Sequence, residues 1–317
     1  MVAERTAKVG IIGAGSVGAT IAYAAMIRGV ARQISLYDIA RSTVEAQVLD
    51  LNHGMLFVPQ ATVEGSDDLQ VLRSSDVVVM TAGAKQKPGQ TRLELAQANV
   101  QICAKLLPQV VEVAPDALLL MVTNPVDVMT QVALKLTGLP WERVFGSGTV
   151  LDSSRFRFLV ARYCGVAVQN VHAYIAGEHG DSEIPLWSSA TIGSIPLSRW
   201  AVPDHGRLTA ADKDEIVHNV KDAAYQVIQG KGATNYAIGL AVSSILESLI
   251  HDEQRVLPLS GLVHGFRGLN EVCLSLPRIA GRKGIEVPLP IPMTVDEEAS
   301  LADSADRVRA VVRGLGY

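Results

Sequence analysis

Lys8–Gly18 reads KVGIIGAGSVG: an apolar run, Val9–Ile12, meets three glycines, Gly13, Gly15 and Gly18, in the spacing G-x-G-x-x-G, and small residues follow through Gly29. The pattern is that of a strand turning tightly into a helix over Ser16–Gly29. The first glycine permits the turn, the second lets bare backbone approach a pyrophosphate, and the third lets helix and strand pack closely. The helix N-terminus meanwhile points at phosphate charge. The next apolar run, Ile34–Tyr37, ends on Asp38, where a carboxylate can accept from the hydroxyls of an adenosine ribose and would repel a 2′-phosphate. Glycines and acid together predict a dinucleotide site selective for NAD over NADP, with flavin still open on these residues alone.

Working outward, the short apolar runs Val77–Met80 and Leu118–Val122 alternate with amphipathic segments. Such alternation predicts βαβ units around a parallel sheet covered on both faces, a doubly wound Rossmann domain over residues 1–149. After about residue 150 the texture changes. Ser189–Leu197 and Arg255–Gly261 look like strands rich in turn residues, and Asp212–Gly230 carries Ile216, Val217, Val220, Ala223, Ala224 and Val227 at helical spacing. Thr294 and Glu297 form a capping box opening a last helix through Leu301, Ala305, Val308, Val312 and Leu315. The second unit, residues 150–317, is therefore expected to be an α+β substrate domain.

The 317 residues are 48% hydrophobic and 19% charged, enough for a substantial core. A net charge of −4 offers no basic field for nucleic acid or an anionic membrane surface, so the expected partner is a small molecule. Cys103, Cys164 and Cys273 are widely spaced, which suggests neither a disulfide framework nor a zinc site; no metal is expected, and a reducing cytoplasm fits. The N-terminus has no apolar signal region, and no run is long enough to span a bilayer.

Four segments carry more polar chemistry than scaffolding needs: Ala82–Arg92 (AGAKQKPGQTR), Val122–Asp127 (VTNPVD), Asp152–Arg157 (DSSRFR) and Ile175–Glu183 (IAGEHGDSE). Hydride transfer from a nicotinamide to a ketone needs a proton donor, a cation to polarise the carbonyl and a clamp for the substrate carboxylate. His179 is the best donor, because its unperturbed pKa lies near working pH. A plain loop histidine is the competing reading. Asp152 and Asp181 are both candidates for the carboxylate that orients it, and the residues alone do not choose. Arg155, three positions after Asp152, shares its helix face and can bind a carboxylate bidentately. Arg92 ends a loop of polar, proline and glycine residues that reads as a lid able to carry it to the carbonyl and to expel water.

Taken together, these segments resemble the L-lactate dehydrogenases of the lactate/malate dehydrogenase superfamily. The likeness runs over essentially the whole chain, from GAGSVG (13–18) through AGAKQKPGQTR (82–92), VTNPVD (122–127), GTVLDSSRFR (148–157) and GEHGDSE (177–183) to KGATNYAIG (231–239). The resemblance implies reversible, NADH-dependent reduction of pyruvate to (S)-lactate at the end of glycolysis or fermentation. It implies His179 as acid/base, Asp152 as its partner, Arg92 as carbonyl polariser and Arg155 as carboxylate clamp, with Asn124 and Thr234 lining the substrate pocket. Val17, Gly83, Ala84, Val122, Asn124 and Ser147 join Gly13, Gly15, Gly18 and Asp38 as cofactor contacts.

Gln86 stands where the malate enzymes of the superfamily carry an arginine. A neutral amide leaves a second substrate carboxylate uncompensated, at a cost on the order of several kcal/mol, so pyruvate is favoured over oxaloacetate. Arg157 and His172 match positions at which many bacterial relatives bind fructose 1,6-bisphosphate between subunits, so allosteric activation and a homotetramer are implied. Malate dehydrogenase, an L-2-hydroxyisocaproate-type enzyme and a non-enzymatic NAD-sensing protein are the alternative readings.

Overall fold

The computed structural model describes residues 6–84, 92–202 and 206–317, with Arg92 described by its backbone alone. The first half runs β1 (Lys8–Ile12), α1 (Ser16–Arg28), β2 (Gln33–Tyr37), α2 (Arg41–His53), β3 (Thr62–Ser66), β4 (Val77–Met80), α3 (Arg92–Val113), β5 (Leu118–Met121), α4 (Val126–Thr137) and β6 (Val144–Gly146). These six strands are parallel, in the order β3-β2-β1-β4-β5-β6. The order reverses beside β1, whose Ile12 pairs Tyr37 on one side and Met80 on the other. In such sheets ligands gather in the crevice at the strands' carboxyl ends, at the point of reversal.

Unbroken apolar strands are explained by two covered faces. Val9 and Ile11 of β1, Val77 and Val79 of β4, and Leu118 and Leu120 of β5 enter one core layer with Ile21, Ala25 and Met26 of α1 and Val44 of α2. The residues between them, Val78, Met80, Leu119 and Met121, enter the opposite layer with Val100, Cys103 and Leu107 of α3 and Met129 and Val132 of α4. Side-chain alternation along each strand divides one apolar run between two helical layers.

The second half runs α5 (Val150–Cys164), β7 (Val171–His172), β8 (Ile175–Ala176), β9 (Ile184–Pro185), β10 (Thr191–Ile192), β11 (Ile195–Pro196), α6 (Ala210–Lys231), α7 (Tyr236–Ile250), β12 (Arg255–Val263), β13 (Val272–Gly281), β14 (Gly284–Ile285) and α8 (Val295–Gly314). Strands β12, β13 and β14 extend the parallel sheet with antiparallel pairings, giving nine strands in all among the described residues. From the same half, α7 packs on α1 closely enough that a Cβ on Gly239 would stand 2.7 Å from Thr20. The mixture of doubly wound parallel sheet and α+β C-terminal region is the expected fold class.

Several element boundaries differ from the sequence reading. Ser189–Leu197 is a hairpin of two short strands, β10 and β11, turning at Gly193 in a left-handed conformation. Helix α6 begins earlier than expected, under a capping box of Thr209 and Asp212, and passes through Gly230 to end at Gly232, whose φ is +83°. Tertiary packing overrides the local preference of a single glycine. The capping box of Thr294 and Glu297 opens α8 as read. Cys103, Cys164 and Cys273 are buried free thiols, and burial pushes Cys103 up to about 12. Among the described residues no helix is long and apolar enough to cross a membrane.

Candidate active site

At the carboxyl edge of β1 the three glycines meet different demands. Gly13 holds φ at +104°, a conformation that side chains rarely adopt. A Cβ on Gly18 would fall 1.8 Å from the Gly13 carbonyl oxygen, so strand and helix touch only because Gly18 has none. Gly15 is exposed, and a Cβ there would meet nothing within 4 Å, which leaves bare backbone beside open space at the N-cap of α1. Val17, half-buried, packs against the first core layer. Asp38 faces this turn: its Oδ2 accepts from the Ala14 N–H at 2.7 Å and its Oδ1 from the Ala40 N–H at 2.9 Å. A shaped, uncovered phosphate cradle with a carboxylate beside it fits a dinucleotide.

The loops after β4, β5 and β6 continue the same edge. Asn99 of α3 is buried and joins two of them, accepting from the Ala84 N–H at 2.7 Å and donating to the Asn124 carbonyl at 2.7 Å. Thr123 donates to the Ala82 carbonyl at 2.8 Å, and a Cβ on Gly83 would stand 2.8 Å from the Thr123 side chain. Val122 and Ser147 donate backbone N–H groups to the Met80 and Met121 carbonyls, at 2.9 and 2.8 Å. Gly83, Ala84, Val122, Asn124 and Ser147 therefore line one edge with the glycine turn.

GEHGDSE forms the loop between β8 and β9. Its entry is fixed on Gly177, which is bridged antiparallel to Ser275 of β13 by two 2.9 Å backbone hydrogen bonds. Ile175 packs into one core cluster, with Phe156 and Val160 of α5, while Ala176 and Ile184 pack into another, with Leu274 of β13 and Leu301 of α8. The His179 backbone N–H donates to Asp127 Oδ2 at 2.7 Å, and Ser275 Oγ donates to Asp127 Oδ1 at 2.9 Å. The loop is therefore held at its backbone before any side chain acts.

His179 Nδ1 lies 2.5 Å from Asp152 Oδ2, and Arg155 donates to Asp152 Oδ1 at 2.8 Å. Asp152 is 2% exposed, so its two oxygens are shared between ring and guanidinium away from water. Against an acceptor-only carboxylate, Nδ1 carries the proton. The other ring nitrogen, Nε2, has no hydrogen-bond partner among the described residues. Burial works against the charged ring, but the charge and hydrogen bond of Asp152, with the charges of Asp127 and Glu183, outweigh it and lift His179 to about 9. Burial likewise opposes ionisation of Asp152, yet His179 and Arg155 together hold its carboxyl below the usual range.

This geometry selects between the two carboxylates left open by sequence. Asp181 is exposed and turned toward α6, where Lys221 donates to its carbonyl at 2.8 Å and the Tyr225 hydroxyl reaches its Oδ1 at 3.4 Å. Arg92 is the first residue of α3, its side chain lying outside the description, and Gln86 lies outside the described residues. Thr234 precedes α7, and its buried hydroxyl has no partner among the described residues. Arg157 is half-buried, donating Nε to the Ala173 carbonyl at 2.8 Å with its guanidinium 4.9 Å over the Tyr174 ring. His172 is exposed on β7 and precedes Ala173, the residue whose carbonyl Arg157 engages.

Sequence reasoning gave no role to Asn99, Asp127, Ser275 or Glu183. Asp127 sits inside VTNPVD, and a carboxylate in an otherwise apolar helix start was the available signal; Asn99 and Ser275 had none. Polar atoms of Asp152, His179 and Glu183 lie within 4.8 Å of one another, a set of ligand types that could also suit a cation, where no metal was expected. Both Asp152 oxygens, however, are already engaged by Arg155 and His179.

The family model for the lactate/malate dehydrogenase NAD binding domain matches residues 7–146, and that for the lactate/malate dehydrogenase alpha/beta C-terminal domain matches 149–314. An L-lactate dehydrogenase of Bifidobacterium animalis subsp. lactis is 51% identical over 311 residues, covering 98% of this chain and 97% of the relative. One of Thermus aquaticus is 44% identical, covering 98% and 100%. Among solved structures, a lactate dehydrogenase from a Medee basin deep-sea metagenome library aligns with a TM-score of 0.94 at 35% identity, covering 99% of this chain and 100% of that one. The minor L-lactate dehydrogenase of Enterococcus mundtii, in a ligands-bound form, aligns with a TM-score of 0.93 at 36% identity over 98% of each chain.

Proposed function

The chain belongs to the lactate/malate dehydrogenase family, in its L-lactate dehydrogenase group of NAD-dependent oxidoreductases, and from that premise we propose that it interconverts pyruvate and L-lactate. The observation that carries the reading is Asp152, buried and shared between His179 and Arg155. It ties a proton donor and a carboxylate clamp into one rigid unit.

NADH, when bound along the glycine edge, supplies the hydride that reduces the ketone carbon and is itself oxidised to NAD+. His179 gives the Nε2 proton to the ketone oxygen as that bond forms, and Asp152 stabilises the ring while it is charged. Oxidation runs the same path backwards, with neutral Nε2 accepting the hydroxyl proton. Arg155 has nitrogens beyond the one that Asp152 engages, and these hold the substrate carboxylate in a plane. Arg92 polarises the carbonyl, Asn124 and Thr234 line the pocket, and Gln86 favours a methyl over a second carboxylate. Asp38 selects NAD over NADP. No metal is assigned.

We further propose residues 1–149 as the cofactor unit and 150–317 as the substrate unit. In a cytoplasmic homotetramer closing glycolysis or fermentation, Arg157 and His172 would form a fructose 1,6-bisphosphate site across a subunit interface. The Ala173 carbonyl on Arg157 Nε leaves the terminal guanidinium nitrogens for phosphate, which supports that site. The test is steady-state NADH oxidation with pyruvate, oxaloacetate and 2-oxoisocaproate, each with and without the bisphosphate. Pyruvate is expected to give the highest kcat/KM, with a lower pyruvate KM when the activator is present. Preference for oxaloacetate would overturn the substrate, and superimposable curves at low pyruvate would overturn the activation.

A further inference from the structure

Glu183 closes the GEHGDSE loop and is 6% exposed, yet its carboxyl has no hydrogen-bond partner among the described residues. Buried carboxylates are ordinarily paired, because an uncompensated charge in a poorly solvated site is costly. Its oxygen lies within 4.8 Å of polar atoms of both Asp152 and His179. Two carboxyls and one imidazole therefore share a space in which Asp152 has its oxygens engaged and Glu183 does not.

We propose that Glu183 is a positioning residue for the proton on His179: its buried carboxyl is seated close enough to the imidazole for its charge to retain that proton under alkaline conditions. The inference rests on His179 as the acid/base of the reaction. The groups acting on Glu183 are Asp152, which disfavours its ionisation, and His179, Lys221 and Arg155, which favour it. Those acting on His179 are Asp152, Asp127 and Glu183, all of which hold its proton. Burial first, and the Asp152 charge second, lift Glu183 to about 8, into the range in which His179, at about 9, also titrates. A charge on Glu183 thus raises the proton affinity of His179, and the pair titrates as a unit. The cluster extends the pH range over which pyruvate can be protonated as it is reduced.

The decisive experiment is the pH profile of kcat/KM for pyruvate in the wild-type enzyme, E183Q and E183D. Loss of the ionisable group should move the alkaline limb of E183Q down by about one pH unit. E183D, which keeps a carboxyl, should restore part of that shift. NADH affinity, read by quenching of protein fluorescence, should stay within about twofold in both, because Glu183 touches none of the dinucleotide edge. A merely structural role would lower kcat without moving the limb, and an unmoved limb overturns the proposal. Infrared difference spectra of the wild-type enzyme give a second test, independent of how the variants fold. A protonated carboxyl band that shifts on 13C-glutamate labelling should vanish between pH 7 and 9, and its absence at pH 7 overturns the proposal equally. If pyruvate is not reduced, or H179Q retains full kcat, the underlying reading fails instead, which separates the two.

Discussion

The cofactor edge and the catalytic loop are built from different materials. Along the edge the working surface is backbone: Gly13 makes the turn, Gly18 allows contact and Gly15 leaves space. At the loop the working part is a side chain, His179, and the residues that hold its ring and its backbone lie far away in sequence. Asp152 is 27 residues from His179, Asp127 is 52 residues from it, and Ser275 lies 148 residues from Asp127. A backbone site can be written in six consecutive residues, whereas a side-chain site has to be assembled by the fold.

If the two regions are separable in this way, variants in one should spare the other. The largest effect is expected for His179→Gln, which should lower kcat by about 10²–10⁴-fold, the usual contribution of a positioned acid/base. Its NADH dissociation constant should change by less than about twofold; a loss of NADH binding would break the separation. Gly18→Ala should do the reverse. A Cβ 1.8 Å from a backbone oxygen forces the strand and helix apart, and overpacking of about 1–3 kcal/mol translates to roughly 5- to 150-fold weaker NADH binding. At saturating NADH, kcat should largely recover.

The pH profile sharpens the contrast within the loop. His179 is lifted to about 9, so the imidazolium persists below that pH and is lost above it. kcat/KM for pyruvate should therefore be flat toward neutrality and fall about tenfold per pH unit above 9. Lactate oxidation, which needs the neutral ring, should rise over the same range, and NADH affinity should not follow either curve. The smallest effect is expected for Asp127→Asn, which keeps one acceptor but spoils one of two buried hydrogen bonds. Unfolding free energy should drop by about 1–3 kcal/mol, measured by urea denaturation.

The same contrast explains what the sequence could show. The glycine turn, the acid after β2, the alternating apolar strands and the capping box at Thr294 are local patterns, and local physics enforces them. His179, Asp152 and Arg155 stood out as residue types suited to the chemistry; the residues alone left Asp152 and Asp181 open because both lie in polar segments, the family resemblance implied Asp152, and the geometry sets Asp152 against the ring. Asn99 and Ser275 were invisible: an asparagine in a helix and a serine in a strand carry no mark of the loops they hold. Gly230 misled in the opposite direction. A glycine near the expected helix end reads as a stop, but α6 continues past it to a glycine that adopts the left-handed conformation.

The bridge between Gly177 and Ser275 has a geometric consequence. Strand β13 belongs to the same nine-stranded sheet whose parallel half ends in the glycine turn and the loops after β4, β5 and β6. The proposed proton donor and the proposed cofactor edge are thus both surveyed from one datum. A single sheet under both regions fixes their separation through strand pairing rather than through loops alone, which is what precise alignment of two reactants requires.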